Sequence, residues 1–515
     1  MTVRDRILAI DIGTQSTRAI LHDRDGNECG IGSRRHVPLI MPEPGTVEQD
    51  TDDLWASLVF SVQKALENQD AERIAALALT SQRSAVIAVD RDGIPLHHAV
   101  SWLDQRIASQ TPLIGGLTRT LLDFLPEDSS VARLTGWARP NILAEYEPEV
   151  FARVHKWLTI SGWVTHRLTG RFVDAPGSIS GVWPFDSKAG DWMTGDLPHQ
   201  LLGFGPGTLP ELVPAGSELG TLLPSCAQEL GLPAGLPIIS VGGDKQAEAL
   251  GGGITASMRD IGGVSLGTGA SVYMVLNRFH RSAFFHYLTN SAAEPGRWVN
   301  EYMVLRGFWM VSWFVREFAA EERLLAQERD TSPEALLSER ALEEVPAGSN
   351  GLIVLPRFTA APDVPRERGA FLGFTEEHGR LSMFRAILEG IGFDLRRGLA
   401  VIERATGRRA RVLRAGGGGA RSDLALQATA SILGRPLEIG ATQELSALGA
   451  SICAAAGIGW YSSWEEAAGS MTRVAHRIEP DPGLQAVYDE IYRKAFYPAL
   501  SQVRPITAWL ARRYR

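Results

Sequence analysis

The chain has 515 residues, 51 basic and 59 acidic, for a net charge of −8, and it is 44% hydrophobic and 21% charged. That length suits at least two domains with their own cores, and the composition excludes a largely disordered chain. The acidic balance offers no footprint for nucleic acid or an anionic membrane. No apolar run approaches the ~18 residues that span a bilayer.

The opening MTVRDRILAID lacks the apolar core of a signal peptide, which points to the cytoplasm. Cys29, Cys226 and Cys453 lie too far apart for a legible disulfide framework or zinc site. In RILAIDIGTQSTRAILHD (6–23), a strand over 7–12 meets a Gly13–Thr14 turn and a strand returns over 17–21. Glycine permits close approach there, and hydroxyls with successive N–H groups form an anion nest. Asp11 sits among Ile, Leu and Ala, where a carboxylate is costly unless it is hydrogen-bonded or faces a cation such as hydrated Mg2+.

Further on, an apolar strand over 75–79 precedes Arg83, and Trp102, Asp104 and Arg106 alternate in HHAVSWLDQR. Asp, Arg and Trp would suit a polyol: fixed donors and acceptors with one aromatic face. A salt-bridged surface strand with a half-buried Trp fits the pattern equally well. His97 and His98 read as strand surface, and the Pro/Gly-rich stretch 203–224 as a peripheral loop. An apolar strand over 238–241 and a Gly242–Gly243 turn lead to Asp244, which opens a helix-like segment. Asp244 is either a helix N-cap or an ionised carboxylate able to take a proton, and the two roles are compatible.

The pattern of 6–23 returns in RDIGGVSLGTGASVYMVL (259–276), a strand, a Gly-Thr-Gly turn and a returning strand. The two segments sit near the starts of the chain's halves, which implies two related domains. Trp309 and Trp313 have the i, i+4 spacing of core packing, EEHGR (376–380) reads as a solvated turn, and the glycine of Glu389–Gly390 is explicable by packing. The 53 glycines cluster at apparent strand ends, as backbone phosphate cradles require. GxxxxGK[ST] is absent and GGGGAR (416–421) fails GxGxxG at its last position, which leaves P-loop and dinucleotide classes unsupported.

DIGTQSTR (11–18), PEPGTVEQD (42–50), the segment 81–106, GGDKQAEALG (242–251), LGTGAS (266–271) and GGGARSDLALQATASILGRPLEI with ELSALGAS (417–451) resemble, in order and spacing, the FGGY family of carbohydrate kinases. That family lies within the actin/Hsp70/sugar-kinase superfamily. The resemblance implies an α/β fold of two RNase-H-like (actin-like ATPase) domains with an interdomain cleft, residues 1–252 for the sugar and catalytic base and 253–515 for the nucleotide. It implies ATP-dependent phosphoryl transfer to a hydroxyl of a sugar or polyol, with Mg2+, and Asp244 as catalytic base. Asp11 and Asp244 would approach the metal. Arg83, Trp102, Asp104 and Asp244 would lie near the sugar. Gly13, Thr14, Gly267, Thr268, Gly269, Gly307, Gly417, Gly418, Gly419 and Ser422 would hold the nucleotide, with Arg18 in support or in a structural salt bridge.

SQRS (81–84) is more similar to glycerol-kinase-like sequences than to xylulose-kinase-like QMHG, but Ser84 replaces the acidic residue expected there. The resemblance therefore implies an acceptor that is a ketose (pentulose or hexulose) or a glycerol-like polyol, of unassigned length. The alternative function is a catalytically silent nucleotide-binding regulator or scaffold of the same superfamily. A homodimer is left open. Domain closure on the sugar would exclude water, with Gly251–Gly253 and Gly262–Gly263 as hinge material.

Overall fold

The structure, a computed structural model, describes residues 3–116, 118, 129–282, 286–359 and 367–514. Two compact units divide the chain: Met1–Thr255 with Asn290–Trp298 and Glu444–Thr472, and Ala256–Thr289 with Val299–Gln443 and Arg473–Arg515.

The first unit is built on strands β1 (Arg6–Ile12), β2 (Ser16–His22), β3 (Glu28–Arg35), β4 (Ile74–Ser81), β5 (Glu218–Thr221) and β6 (Pro237–Gly243), in sheet order β3-β2-β1-β4-β6-β5. β1, β4 and β6 are parallel, and β2, β3 and β5 each run antiparallel to a neighbour. A strand covered on both faces reads as a nearly continuous apolar run, which is the sequence of β1 before Asp11. Leu8, Ile10 and Ile12 pack with Leu77 and Leu79 beneath the helices Thr51–Ala65 and Ile160–Thr169. Ile7, Ala9, Ala76 and Ala78 face the alanine-rich helix Leu445–Gly457. His22 Nδ1 lies 2.8 Å from Ser451 Oγ on that helix, and burial pushes the His22 pKa down to about 4, so the ring packs neutral.

Small residues bring the helix Asp244–Gly251 against Leu445–Gly457 at near backbone contact. A Cβ on Gly251 would lie 1.8 Å from the Leu445 carbonyl oxygen, and one on Gly449 1.8 Å from that of Ala247. Gly251 is thus a packing surface inside a helix and not the hinge material the sequence suggested. The 203–224 stretch also departs from its reading as a loop: it contributes β5, the sheet's edge strand.

The second unit repeats the plan with β7 (Ile261–Leu266), β8 (Ala270–Leu276), β9 (Leu288–Ser291), β10 (Trp298–Val304), β11 (Val412–Gly416), β12 (Leu437–Gly440) and β13 (Val474–Ile478), in order β9-β10-β8-β7-β11-β12-β13. β7 and β8 form the antiparallel hairpin, and β7, β11 and β12 are parallel, as β1, β4 and β6 are in the first unit. This is the RNase-H-like arrangement twice over. Gly262 and Gly263 lie within β7, where a Cβ on Gly263 would meet the Tyr273 ring at 2.1 Å, so close packing explains them. The helix Arg380–Thr406 lays Phe384, Ile387, Ile391 and Leu395 on this core, and Trp309 and Trp313 pack against it as expected. A Cβ on Gly390 would stand 2.4 Å from the Val354 carbonyl oxygen, so packing accounts for that glycine.

Among the described residues, no helix is long and apolar enough to cross a membrane. All three cysteines are free.

A methyl group cannot fit at the Asp244–Gly251 crossing without separating the helices. Gly449→Ala is expected to cost about 3 kcal/mol or more, read as a lowered melting temperature or loss of soluble protein.

Candidate functional site

In the first unit, β1, β4 and β6 end at one edge of the sheet, with Ile12 and Gly243 both in register with Ser81. The segments leaving that edge carry Gly13–Thr14, Gln82–Arg83 and Asp244. In parallel α/β sheets this is the end at which ligands bind.

Asp244 is the first residue of its helix and the N-cap is Gly243, so the N-cap reading of Asp244 is displaced by one position. Its carboxylate accepts the Lys245 N–H at 2.8 Å and stands 3.5 Å from Arg83 Nε. The Arg83 stem crosses directly over Gly243, where a Cβ would lie 2.3 Å from Arg83 Cγ. Arg83 is 7% exposed against 29% for the Asp244 side chain, so the guanidinium is a fixed partner and the carboxylate faces outward.

Asp11 lies opposite Arg18 on β2 and in register with Thr80 on β4. Its side chain is buried and Oδ1 has no hydrogen-bond partner. Burial foremost, then the Asp244 charge, pushes its pKa up to about 7, against the opposing pull of Arg18. Arg18 makes the structural salt bridge, with its Nε 3.2 Å from Glu444 Oε2.

The Gly13–Thr14 turn is held from several sides. Thr14 Oγ1 donates to Gln82 Oε1 at 2.8 Å and accepts from Trp102 Nε1 at 3.0 Å. The Thr14 carbonyl accepts from Gln49 Nε2 at 3.0 Å, and Gln82 Nε2 donates to Gln49 Oε1 at 2.7 Å. Trp102 and Asp104 lie in the loop after a short strand, Ala99–Val100, so they do not alternate along a strand as the spacing suggested.

Asp104 is wholly buried. Its oxygens accept from the N–H groups of Val47 and Arg106 and from the guanidinium groups of Arg106 and Arg139, at 2.9–3.2 Å. Arg106 also pairs with Glu48 Oε1 at 2.9 Å.

His97, read from sequence as strand surface, is partly buried beside this network. Its Nε2 lies 3.3 Å from Glu48 Oε1 and 2.9 Å from Glu147 Oε1, and its Nδ1 2.6 Å from the His98 carbonyl oxygen. Both ring nitrogens thus face acceptors, which an imidazolium satisfies and a neutral ring does not. Burial works against that charge, but the Glu48 and Glu147 carboxylates raise the His97 pKa above its usual range.

In the second unit three predicted nucleotide segments meet. The Gly267 carbonyl accepts the Phe308 N–H at 3.0 Å and the Thr268 carbonyl accepts the Trp309 N–H at 3.1 Å. A Cβ on Gly307 would lie 2.3 Å from Ala270 N, and one on Gly417 (φ +84) 2.8 Å from Gly267 N. Gly418 faces open space, whereas Gly419 backs onto the Phe308 ring. Gly269 closes the second hairpin turn ahead of β8. Ser422 caps the helix Asp423–Leu433 by accepting the Ala425 N–H at 3.2 Å, and its hydroxyl donates to Ser338 at 3.1 Å.

Sequence reasoning did not assign Gln49, Gln82, Arg139 or Glu444. Gln49, Gln82 and Glu444 stand inside quoted motifs, so the signal was present, but their roles are contacts across 33 to 68 residues and, for Glu444, to Arg18. Among the described residues, no group of three or more His, Cys, Asp or Glu is arranged to hold a metal.

Comparison with known proteins fits this geometry. The model of the FGGY family of carbohydrate kinases, N-terminal domain, matches residues 6–251, and that of the C-terminal domain matches 262–458. The chain belongs to the FGGY family of carbohydrate kinases. It is 29% identical over 493 residues to the "Uncharacterized sugar kinase YgcE" of Escherichia coli K12, covering 95% of this chain and 92% of that one. It is 28% identical over 501 residues to an autoinducer-2 kinase of Yersinia enterocolitica, covering 95% and 93%. The solved xylulose kinase of Rhodospirillum rubrum is similar with a TM-score of 0.80 and 25% identity, covering 98% of this chain and 99% of that one.

A histidine whose folded pKa is raised adds stability that is complete below its unfolded value near 6.5 and is lost as pH rises through the folded value. His97→Gln is accordingly expected to melt lower than the wild-type chain at pH 6, by ~1 kcal/mol or more, with the gap closing toward pH 9. Thermal unfolding across that range checks it. Asp11→Asn removes a buried charge and is expected to raise the melting temperature at pH 8 in the presence of chelator.

Proposed function

We propose that the chain transfers the γ-phosphoryl group of ATP to a hydroxyl of a sugar or polyol, with residues 1–252 supplying the acceptor site and residues 253–515 the nucleotide site. The observation that carries the reading is Asp244: a carboxylate at the first turn of a helix, facing outward, with its geometry set by Arg83 and the Lys245 N–H.

A carboxylate there is favoured as the anion by the helix dipole. An alcohol is far less acidic than a carboxylic acid, so the hydroxyl is not deprotonated beforehand. Asp244 accepts the proton as the acceptor oxygen bonds to phosphorus and the bond to the ADP oxygen breaks, a contribution of ~10²–10⁴ in rate. Arg83 fixes the carboxylate and presents donors to the acceptor. Trp102 and Asp104 act through position, Trp102 by orienting Thr14 and Asp104 by holding Arg106 and Arg139. In the second unit the backbone of Gly267–Gly269, Gly307 and Gly417–Gly419 takes the nucleotide, with Ser422 fixing the helix that follows; in the first unit the Gly13–Thr14 turn is backbone able to take an anion.

Asp11 and Asp244 fit a hydrated Mg2+, which keeps most of its waters and takes one or two carboxylates. Asp11 brings a buried oxygen with no protein partner. When bound, the ion supplies positive charge against the phosphate chain.

Relatives bearing the names xylulose kinase and autoinducer-2 kinase differ in acceptor, so the acceptor is identified by assay. Coupled ADP release over a panel of ketoses and polyols is expected to pick out one or a few. Tight ATP binding with no release for any acceptor would favour a silent regulator or scaffold. For Asp244→Asn, turnover is expected to fall by at least ~10² with sugar binding retained; unchanged turnover would remove Asp244 as the base.

A further inference from the structure

The second unit holds one arginine whose environment is unlike that of its neighbours. Arg357 and Arg385 are buried and each pairs with a carboxylate, Asp394 at 3.2 Å and Glu389 at 2.9 Å. Arg408, about half-buried, spends its guanidinium on the carbonyl oxygens of Met258, Arg259 and Val275. Arg306 is half-buried and has neither arrangement. Its Nε donates to Thr359 Oγ1 at 2.7 Å, and its guanidinium carbon lies 4.6 Å from the centre of the Trp309 ring. Among the described residues neither terminal nitrogen has an acceptor and no carboxylate pairs with it.

Burying a cation away from a counter-ion is costly, and here burial lowers the pKa with no acid to oppose it. The stacked ring and the threonine hydroxyl fix the plane of the guanidinium and leave its outer fork pointing elsewhere. That is a group arranged for an anion, because the fork matches the oxygens of a phosphate in a bidentate way.

The position is as telling as the environment. Arg306 immediately precedes Gly307, whose Cα abuts the second Gly-Thr-Gly turn, and Phe308 and Trp309 donate their N–H groups to the carbonyls of Gly267 and Thr268. We propose that Arg306 binds the polyphosphate of the nucleotide, using its terminal nitrogens on phosphate oxygens while Thr359 and Trp309 hold it in place. This rests on the reading of the second unit as the nucleotide site, and it assigns a side-chain cation to a site otherwise made of backbone.

The test is nucleotide affinity of the full chain, by calorimetry, for ATP, ADP and adenosine, with Arg306→Gln, Arg306→Lys and Thr359→Val. For Arg306→Gln the affinities for ATP and ADP are expected to fall at least ~10-fold while that for adenosine is unchanged. Arg306→Lys keeps the charge without the fork and should fall between, and Thr359→Val should weaken ATP more than adenosine. Should Arg306→Gln not fold, these two variants decide. Unchanged ATP affinity, or equal losses for ATP and adenosine, would overturn the assignment in favour of a structural stack on Trp309. A wild-type chain that bound adenosine but with ATP no tighter would overturn it as well. Failure of the wild-type chain to bind any of the three would instead overturn the nucleotide reading on which it rests.

Discussion

A carboxylate taken out of water, with one oxygen left without a partner, sets the terms for the first unit. Strand β1 is covered on both faces, so every side chain from Ile7 to Ile12 is buried, and Asp11 follows four apolar residues at the position where the strand reaches the sheet edge. Arg18 stands opposite, but its Nε is committed to Glu444. Asp244 adds a second negative charge from the next element, and the result is a proton held far more tightly than an ordinary aspartate holds it. A buried carboxylate of this kind either keeps its proton or is costly until a cation compensates it. On the proposed reading a cation does so, which is why the same carboxylate that weakens the empty fold would be useful in the loaded one.

The second unit obeys a different constraint. Its turns are brought together by backbone-to-backbone distances that a single methyl group would prevent, at Gly307 against Ala270 and at Gly417 against Gly267. What that closeness yields is glycine backbone with little side-chain cover, Gly418 facing open space, and such a surface favours anions without charge of its own. A cation placed beside it, as Arg306 is, adds charge to a site that otherwise relies on dipoles. Among the described residues the two units therefore carry opposite imbalances: a carboxylate with one unpartnered oxygen in one, a guanidinium with no paired carboxylate in the other.

Most of the fold was legible because it is written in local periodicity. The two hairpins, their turns and the parallel strands after them follow from apolar runs bounded by Gly-Thr turns, and the repeated sheet order is the repeated sequence pattern made visible. What escaped was non-local. Helix Leu445–Gly457 begins 201 residues beyond Asp244 yet covers the first unit's sheet, and its alanines signal close packing without saying against what. Gly251 looked like flexible chain because a glycine in a crossing and a glycine in a hinge are the same letter. His97 looked like surface for a similar reason: its partners, Glu48 and Glu147, lie 49 and 50 residues away on opposite sides in sequence.

Hydrogen-bond accounting separates residues that the motifs alone could not. Asp104 and Asp244 both stand in family segments and both were read as sugar-side carboxylates. Asp104 is surrounded by two guanidinium groups and two backbone N–H groups and its side chain has no exposed surface, so an incoming hydroxyl would have to displace a donor that is already buried and charged. Asp244, at 29% exposure, can engage a hydroxyl without breaking the contacts that orient it. The same reasoning applies to Thr14, whose hydroxyl already donates to Gln82 and accepts from Trp102, leaving the backbone of the turn as the part able to take an anion. On the proposed reading, then, the acceptor is read by few groups, chiefly Arg83 and Asp244, beside a serine at position 84 whose backbone is held at φ +65 and whose hydroxyl lies where a Cβ on Gly181 would come within 3.1 Å. A short neutral hydroxyl at that place, where an acidic side chain was expected, favours an acceptor that fills the space with its own oxygens over one that depends on a second protein carboxylate.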